Sequence, residues 1–327
     1  MIVLGNIGQW LIGSVGLVKI LVTGAAGQVG SHVVDQALLR GDTVLGIDNF
    51  ATGRPIHVAK SSDNSFVEGS IADTVLVHRV FAEFKPDVVV HTAAAYKDPD
   101  DWITDVETNV RGMVNLIDAA RQAAVGRFIY FQTALVYGVK PEQNPVTLQH
   151  PRRVDNSSYS ISKGAAEDYL TLSGLDYVTF RLANVIGPRN VSGPLPIFFQ
   201  RLTEGKRCFV TPARRDFVYV GDLVKAVGQA VQGAGHGAYH FSSGGDVPII
   251  DLYNAVVKAM GISDYPEPER RPLSPDDAPS ILLDPSRTFA DFGPIEFTPL
   301  ETTVWNAVKY YQEFGVVGGY THLKSES

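Results

Sequence analysis

Tyr159 and Lys163, four residues apart in Tyr-Ser-Ile-Ser-Lys, are the first pair in this sequence whose types and spacing could do chemistry. On a helix, that spacing puts a phenol and an ammonium on one face. A tyrosine ordinarily titrates near ~10, so it acts as a base at neutral pH only where positive charge favours the phenolate. Lys163 supplies such a charge. The spacing alone recurs by chance in chains of this length, and its placement gives it weight: it comes after the run Arg127 to Phe131, which reads as a strand. Thr133, at the end of that run and 26 residues before Tyr159, offers a hydroxyl where a strand's carboxyl end could hydrogen-bond a reacting alcohol or carbonyl. The bland reading stands beside it, with Thr133 an ordinary β-branched strand residue and Tyr137 a buried aromatic.

Such a trio needs elements to position it. The aliphatic run Lys19 to Thr23 is followed directly by Gly24-Ala25-Ala26-Gly27-Gln28-Val29-Gly30 and then by a helical pattern from Ser31 to Arg40. Strand, glycine turn and helix in this order make a phosphate-binding site: one glycine allows the tight turn, one lets the backbone approach a pyrophosphate, and one lets helix and strand pack closely. The helix amino terminus then faces the phosphates. The next strand, Thr43 to Ile47, leads into Asp48, 18 residues after Gly30. A carboxylate there accepts hydrogen bonds from both ribose hydroxyls and repels a 2′-phosphate, which favours NAD over NADP. In isolation Asp48-Asn49 would be an ordinary turn. An oxidised nicotinamide would add a second positive charge beside Tyr159.

The alternation continues with a strand at Val88 to His91, an amphipathic helix from Asp105 to Ala124, the strand beginning at Arg127, and another at Tyr177 to Leu182. Strands separated by helices imply an α/β fold, a Rossmann-type doubly wound parallel sheet. After Asn184 the chain turns rich in Pro, Gly and loops, segments that can build a smaller carboxyl-terminal cap over the sheet's carboxyl edge, which the family resemblance given below makes a substrate-binding domain. The expected division is a cofactor domain over 19–184 with a returning segment at about 216–242, and a substrate domain over 185–215 and 243–320. The glycine-interrupted apolar prefix 1–18 lacks a basic flank and is too short to span a bilayer, so it reads as a disordered extension.

Composition excludes several classes. The 327 residues carry 28 Lys+Arg against 35 Asp+Glu, a net charge of −7 without a long basic run, which argues against nucleic-acid or anionic-membrane partners. One cysteine, Cys208, forbids an intrachain disulfide and, lacking a basic partner, reads as packed; a reducing cytoplasm fits. The eight histidines, His240 among them, show no ligand spacing, so no metal is expected.

The segments GAAGQVG, IDNF, VVHTAAA, NVRGMVNLIDAA, QTALVYG, YSISK, RLANVIGPR and RRDFVYVGDLV are similar, in order and spacing, to the extended short-chain dehydrogenase/reductase superfamily, and resemble most its nucleotide-sugar epimerase branch, typified by UDP-galactose 4-epimerase. The resemblance spans about residues 19 to 315. It implies catalytic roles for Thr133, in place of the commoner serine, Tyr159 and Lys163. It implies cofactor contacts from Gly24, Gly27, Gln28, Val29 and Gly30 at the pyrophosphate and from Asp48, Asn49, Phe50, Thr52 and Gly53 at the adenosine. Ser70, Ile71, Thr92, Ala93, Ala94, Asn109 and Ala183 would complete the cofactor site, together with Tyr159 and Lys163. Ser70 departs from the acid that the family often carries near the adenine. Substrate contacts are implied for Thr133, Asn184, Arg215 and Arg271, the two arginines on the diphosphate; an ion pair within its own turn is the plain alternative for Arg215. Homodimers form in this family through the helices at Asp105 to Ala124 and Ser160 to Leu172, so a homodimer is implied.

The same scaffold supports several reactions, and fold does not choose between them. Family 4,6-dehydratases carry an Asp-Glu pair directly after the threonine, decarboxylases a glutamate at the second of these positions, and GDP-fucose-forming epimerase-reductases a cysteine there; this chain has Ala134 and Leu135. Neither transfers a proton. The reading is an NAD-dependent epimerase inverting C4 of a UDP- or dTDP-hexose through a 4-keto intermediate. An NAD(H)-dependent 4-ketoreductase stays open with the same Thr133, Tyr159 and Lys163, as does, from another class, an inactive NAD-binding regulatory protein.

Overall fold

A computed structural model describes residues 17–154, 157–264, 267–274 and 277–319. Apart from Leu17 and Val18, the expected extension 1–18 lies outside the described residues.

Seven strands form one parallel sheet: β1 (Lys19–Thr23), β2 (Thr43–Asp48), β3 (Asn64–Glu68), β4 (Val88–His91), β5 (Arg127–Thr133), β6 (Tyr177–Leu182) and β7 (Gly237–Phe241). Their order is β7-β6-β5-β4-β1-β2-β3, with every neighbouring pair parallel. The fold is therefore the expected Rossmann-type doubly wound α/β architecture, and the chain reverses its winding between β1 and β4, where a crevice opens at the strands' carboxyl ends. Continuous apolar runs suit strands buried on both faces. In β1, Ile20 and Val22 enter one core while Leu21 enters the other.

Helices α1 (Gln28–Arg40) and α6 (Val220–Val231) cover the first face through Val33, Val34, Leu223 and Val227. On the second lie α2 (Thr74–Phe84), α3 (Gly112–Gln122) and α4 (Ser158–Leu172), which bury Val77, Phe81, Leu116 and Leu170. A separate core joins α5 (Pro194–Thr203), α7 (Ile249–Met260) and α8 (Leu300–Phe314) through Phe198, Tyr253, Val256 and Val308. Arg127, at the start of β5, fastens the turn that leads into β7: its guanidinium donates to the carbonyls of Ala230, Ala234 and Gly235 at 2.9–3.0 Å and pairs with Asp176. Among the described residues no helix is long and apolar enough to cross a membrane.

One helix differs from expectation. The helix expected from Asp105 to Ala124 begins at Trp102, where the Asp101 carboxylate accepts from the Thr104 N–H, and passes through a wider π-helical turn, Val106–Arg111, before α3. Strand β5 ends at Thr133, where the sequence placed the strand's carboxyl end; the Thr133 hydroxyl accepts from the Leu135 N–H and folds Ala134–Tyr137 into a short 3₁₀ turn.

Candidate active site

The glycine turn is built as its spacing requires. Gly24 has φ +68°, and a Cβ on it would lie 2.7 Å from the Ala93 nitrogen; a Cβ on Gly30 would lie 2.1 Å from the Gly24 oxygen. Gly27 caps α1 without a side chain, so the first turn of that helix presents backbone N–H groups to the crevice. The Gln28 Nε2 is buried there without a partner. A close-packed cradle, a helix amino terminus and an orphaned amide donor fit a pyrophosphate.

Asp48, at the end of β2, is 8% exposed. Its Oδ2 accepts from the Ala26 N–H at 2.9 Å and its Oδ1 from the Phe50 N–H at 2.7 Å. The carboxylate thus shapes the glycine turn, and it keeps lone pairs for the ribose hydroxyls expected of it. Gly53 packs so closely on Ala26 and Asp48 that a Cβ would come within 2.9 Å of Ala26. Phe50 stacks on Phe66 at 5.3 Å, the Asn49 Oδ1 accepts from the Ala51 N–H, and Thr52 is half-buried in the same loop. Ser70 turns its hydroxyl to the Ala72 N–H, and Ile71 is buried against Gly112.

Beyond β4, Thr92 donates to the Thr23 carbonyl at 2.7 Å, which brings Thr92, Ala93 and Ala94 beside Gly24. Asn109, held in the π turn and 2% exposed, bonds both the N–H and the carbonyl of Ala95 and donates to the Ser162 hydroxyl at 3.0 Å. One amide therefore fixes the post-β4 loop to α4, the helix that carries Tyr159 and Lys163.

Lys163 is 4% exposed, donates to the Phe131 carbonyl at 2.6 Å, and lies 4.0 Å from the Tyr130 ring centroid. Burial pushes its ammonium down to about 7, a shift that Glu167 partly opposes. These bonds bind the start of α4 to the end of β5, where Thr133 sits half-buried. Tyr159 is half-buried, with the Tyr96 ring 4.4 Å away, centroid to centroid. Tyr96 lies in the loop after β4, and no local sequence pattern marks it.

Behind the trio lies a buried network that the sequence also left unmarked. Glu167 accepts from Arg181, Arg152 and Gln132, and Gln132 also donates to the Lys163 carbonyl at 2.7 Å. Arg181 donates to the Tyr137 hydroxyl, which lies 2.6 Å from the His240 Nε2. His240 Nδ1 faces the Asp284 carbonyl, so that nitrogen holds the hydrogen and Tyr137 donates to Nε2. Burial lowers His240 to about 4, in keeping with a neutral ring.

Ala183, expected at the cofactor, is buried, its N–H donating to the Phe241 carbonyl, and Asn184, expected at the substrate, is exposed. Arg215 pairs with Asp277 and donates to the Ala278 carbonyl; its neighbour Asp216 is instead held by Ser242 and Ser243. The ion pair considered for Arg215 within its turn is thus made 62 residues away. Arg271 forks onto Glu269 and lies over the Phe209 ring. The structure brings Gly24 to Gly30, Asp48, Thr92 to Ala94, Thr133, Tyr159 and Lys163 to the carboxyl end of the sheet, whereas Arg271 is engaged by Glu269 and the Phe209 ring. Cys208 is buried, and among the described residues no three potential metal-ligating side chains cluster.

A doubly wound sheet with this turn, this acid and a buried lysine one turn after a tyrosine defines an extended short-chain dehydrogenase/reductase. The chain belongs to the NAD dependent epimerase/dehydratase family, whose profile matches residues 20–241. It is 35% identical over 273 residues to a UDP-glucose 4-epimerase of Mycolicibacterium smegmatis, covering 76% of this chain and 85% of that one. Among solved structures it is similar to the Bordetella bronchiseptica enzyme WbmH in complex with NAD+, at 64% identity and a TM-score of 0.90, with 92% of this chain and 100% of that one covered. It is also similar to WbmG of the same organism in complex with NAD and UDP, at 38% identity and a TM-score of 0.87, covering 95% and 100%. The cofactor is NAD, and the enzyme falls in the nucleotide-sugar epimerase branch.

Proposed function

We propose that this enzyme inverts C4 of a UDP- or dTDP-hexose through a transient 4-keto sugar. Bound NAD supplies a nicotinamide that takes up and returns hydride. Tyr159 removes the proton from the C4 hydroxyl and returns it to the oxygen after the sugar has turned, while Thr133 holds that oxygen by a hydrogen bond. The Lys163 ammonium, fixed by the Phe131 carbonyl and the Tyr130 face, favours the phenolate. Asn184 and Arg215 anchor the diphosphate, so that the sugar rotates without leaving; for Arg215 this means sharing its guanidinium with Asp277. Gln28, Asp48 and the glycine turn hold the dinucleotide.

The pair of residues directly after Thr133 carries this reading. Ala134 and Leu135 pack on an apolar cluster of Val136, Tyr137, Val146 and Leu283. Where elimination or decarboxylation needs a further acid or base, this chain places two groups that transfer no proton, and an epimerase needs none. The test is a panel of UDP- and dTDP-hexoses given to purified enzyme without added cofactor. Interconversion of a C4 pair is expected, with Tyr159→Phe lowering turnover by roughly 10²–10⁴-fold. Turnover of keto sugars alone, with stoichiometric consumption of NADH, would replace the epimerase by a ketoreductase, and undiminished turnover in the phenylalanine variant would refute the base.

The assembly proposed is a cytoplasmic homodimer. Val106, Val114, Ile161, Tyr169 and Leu172 are between 38% and 82% exposed, on the two neighbouring helical segments that the family resemblance assigns to the dimer contact.

A further inference from the structure

The loop after Asp48 is joined to the glycine turn on one side and to the carboxyl-terminal helix on the other. Ala26, in the middle of the turn, is held at both ends: its N–H donates to Asp48, and its carbonyl accepts from the Arg54 N–H at 3.1 Å and from His57 Nδ1 at 2.8 Å. A carbonyl can only accept, so the His57 hydrogen is on Nδ1, and Nε2 of the neutral ring is an acceptor. The Tyr310 hydroxyl, 2.6 Å away on α8, is its donor. His57 is 6% exposed, so this bond is shielded from competing water. The same loop makes a second connection to α8. Arg54 Nη1 donates to the carbonyls of Phe314 and Gly315 at 3.2 and 3.4 Å, at the helix's carboxyl end, where a cation also complements the dipole. The next residue along α8 faces elsewhere: the Tyr311 hydroxyl donates to the Asn190 carbonyl at 2.8 Å, in the segment after Asn184.

We propose that α8 is a clasp for the dinucleotide: Tyr310, through His57, and Arg54 hold residues 48–57 closed against the glycine turn, so that NAD leaves only when the loop parts from α8. His57, Arg54 and Tyr310 are positioning residues, acting on the cofactor through Ala26 and Asp48. An enzyme that must keep its nicotinamide between the two halves of a turnover has use for such a closure, but the clasp itself depends only on NAD being bound and is independent of which sugar is turned over.

Three variants test it: Tyr310→Phe, which keeps the ring against that of Phe314, 4.9 Å between centroids; Arg54→Gln; and Tyr239→Phe, whose hydroxyl bonds Asp291 in another part of the molecule. Each holoenzyme is mixed with excess labelled NAD, and exchange of the bound cofactor is followed by filtration. Loss of the bond to buried His57 corresponds to about a tenfold change, so Tyr310→Phe is expected to exchange NAD about tenfold faster than wild type, Arg54→Gln, whose bonds to α8 are solvent-exposed, about two- to fivefold faster, the double variant faster again, and Tyr239→Phe at the wild-type rate. Amide hydrogen exchange at residues 48–57 of the holoenzyme should quicken in the first two variants alone. Wild-type exchange rates in Tyr310→Phe and Arg54→Gln, or equal acceleration in Tyr239→Phe, overturn the clasp.

Discussion

A buried ammonium is costly, and Lys163 shows where the cost falls. Its ordinary value is 10.5 and its value in the folded chain about 7. Between those values the unfolded chain holds the proton and the folded chain does not. Stability therefore rises with pH across that window, and the full penalty is present below about 7. Lys163→Met removes the penalty and keeps the bulk. It is expected to raise the melting temperature at pH 7 by on the order of 5 °C, with the gain shrinking as pH rises toward 10, while turnover falls by roughly 10²–10⁴-fold. Calorimetry across pH checks this, and a variant less stable than wild type at pH 7 would show that the bond to Phe131 and the contact with Tyr130 outweigh desolvation. The fold tolerates an unfavourable group here for the sake of the chemistry.

At the scale of elements, the glycine turn is the most constrained piece. Gly30→Ala places a Cβ 2.1 Å from the Gly24 carbonyl oxygen, backbone that cannot step aside, so β1 and α1 must separate. A loss of about 1–3 kcal/mol in urea unfolding is expected, together with weaker NAD binding. This turn was legible in the sequence because its whole logic lies within seven consecutive residues, and so was the helix spacing of Tyr159 and Lys163. The features that escaped reading depend on distant partners. Arg215 finds Asp277 and His57 finds Tyr310 across 62 and 253 residues, and no local pattern announces either. The π turn around Asn109 escaped for a different reason: its residues fit an ordinary helical period, and only packing against the post-β4 loop and Ser162 marks the extra width. The end of β5 at Thr133 was legible, whereas the hydroxyl bond to the Leu135 N–H that turns the following residues aside was not.

For the whole molecule, the proposed dimer makes a separate claim. Ile161 is half-exposed on α4, one residue from the buried Ser160 and Ser162, so its side chain points away from the site. Ile161→Glu is expected to give monomers in analytical ultracentrifugation with NAD still bound; a dimer that persists in this variant would place the contact elsewhere. The parallel sheet itself, its order and its two apolar faces accord with alternating strands and helices. The last strand, Gly237 to Phe241, lies inside the returning segment expected at about 216–242, though it did not stand out as a strand because it comes after a long excursion through a second core.

That late strand, and the Arg127 grip on the turn before it, affect how the protein is made. During synthesis on a ribosome, β6 emerges with one side lacking its neighbour, and β7 arrives only after residues 184–236 have left the exit tunnel. Until then the Arg127 guanidinium has none of its three carbonyl partners, and a bare strand edge is open to other nascent chains. A ribosome stalled before Gly237 would carry a sticky fragment instead of a finished sheet, so vectorial translation delays this sheet's completion until the whole segment between β6 and β7 has emerged.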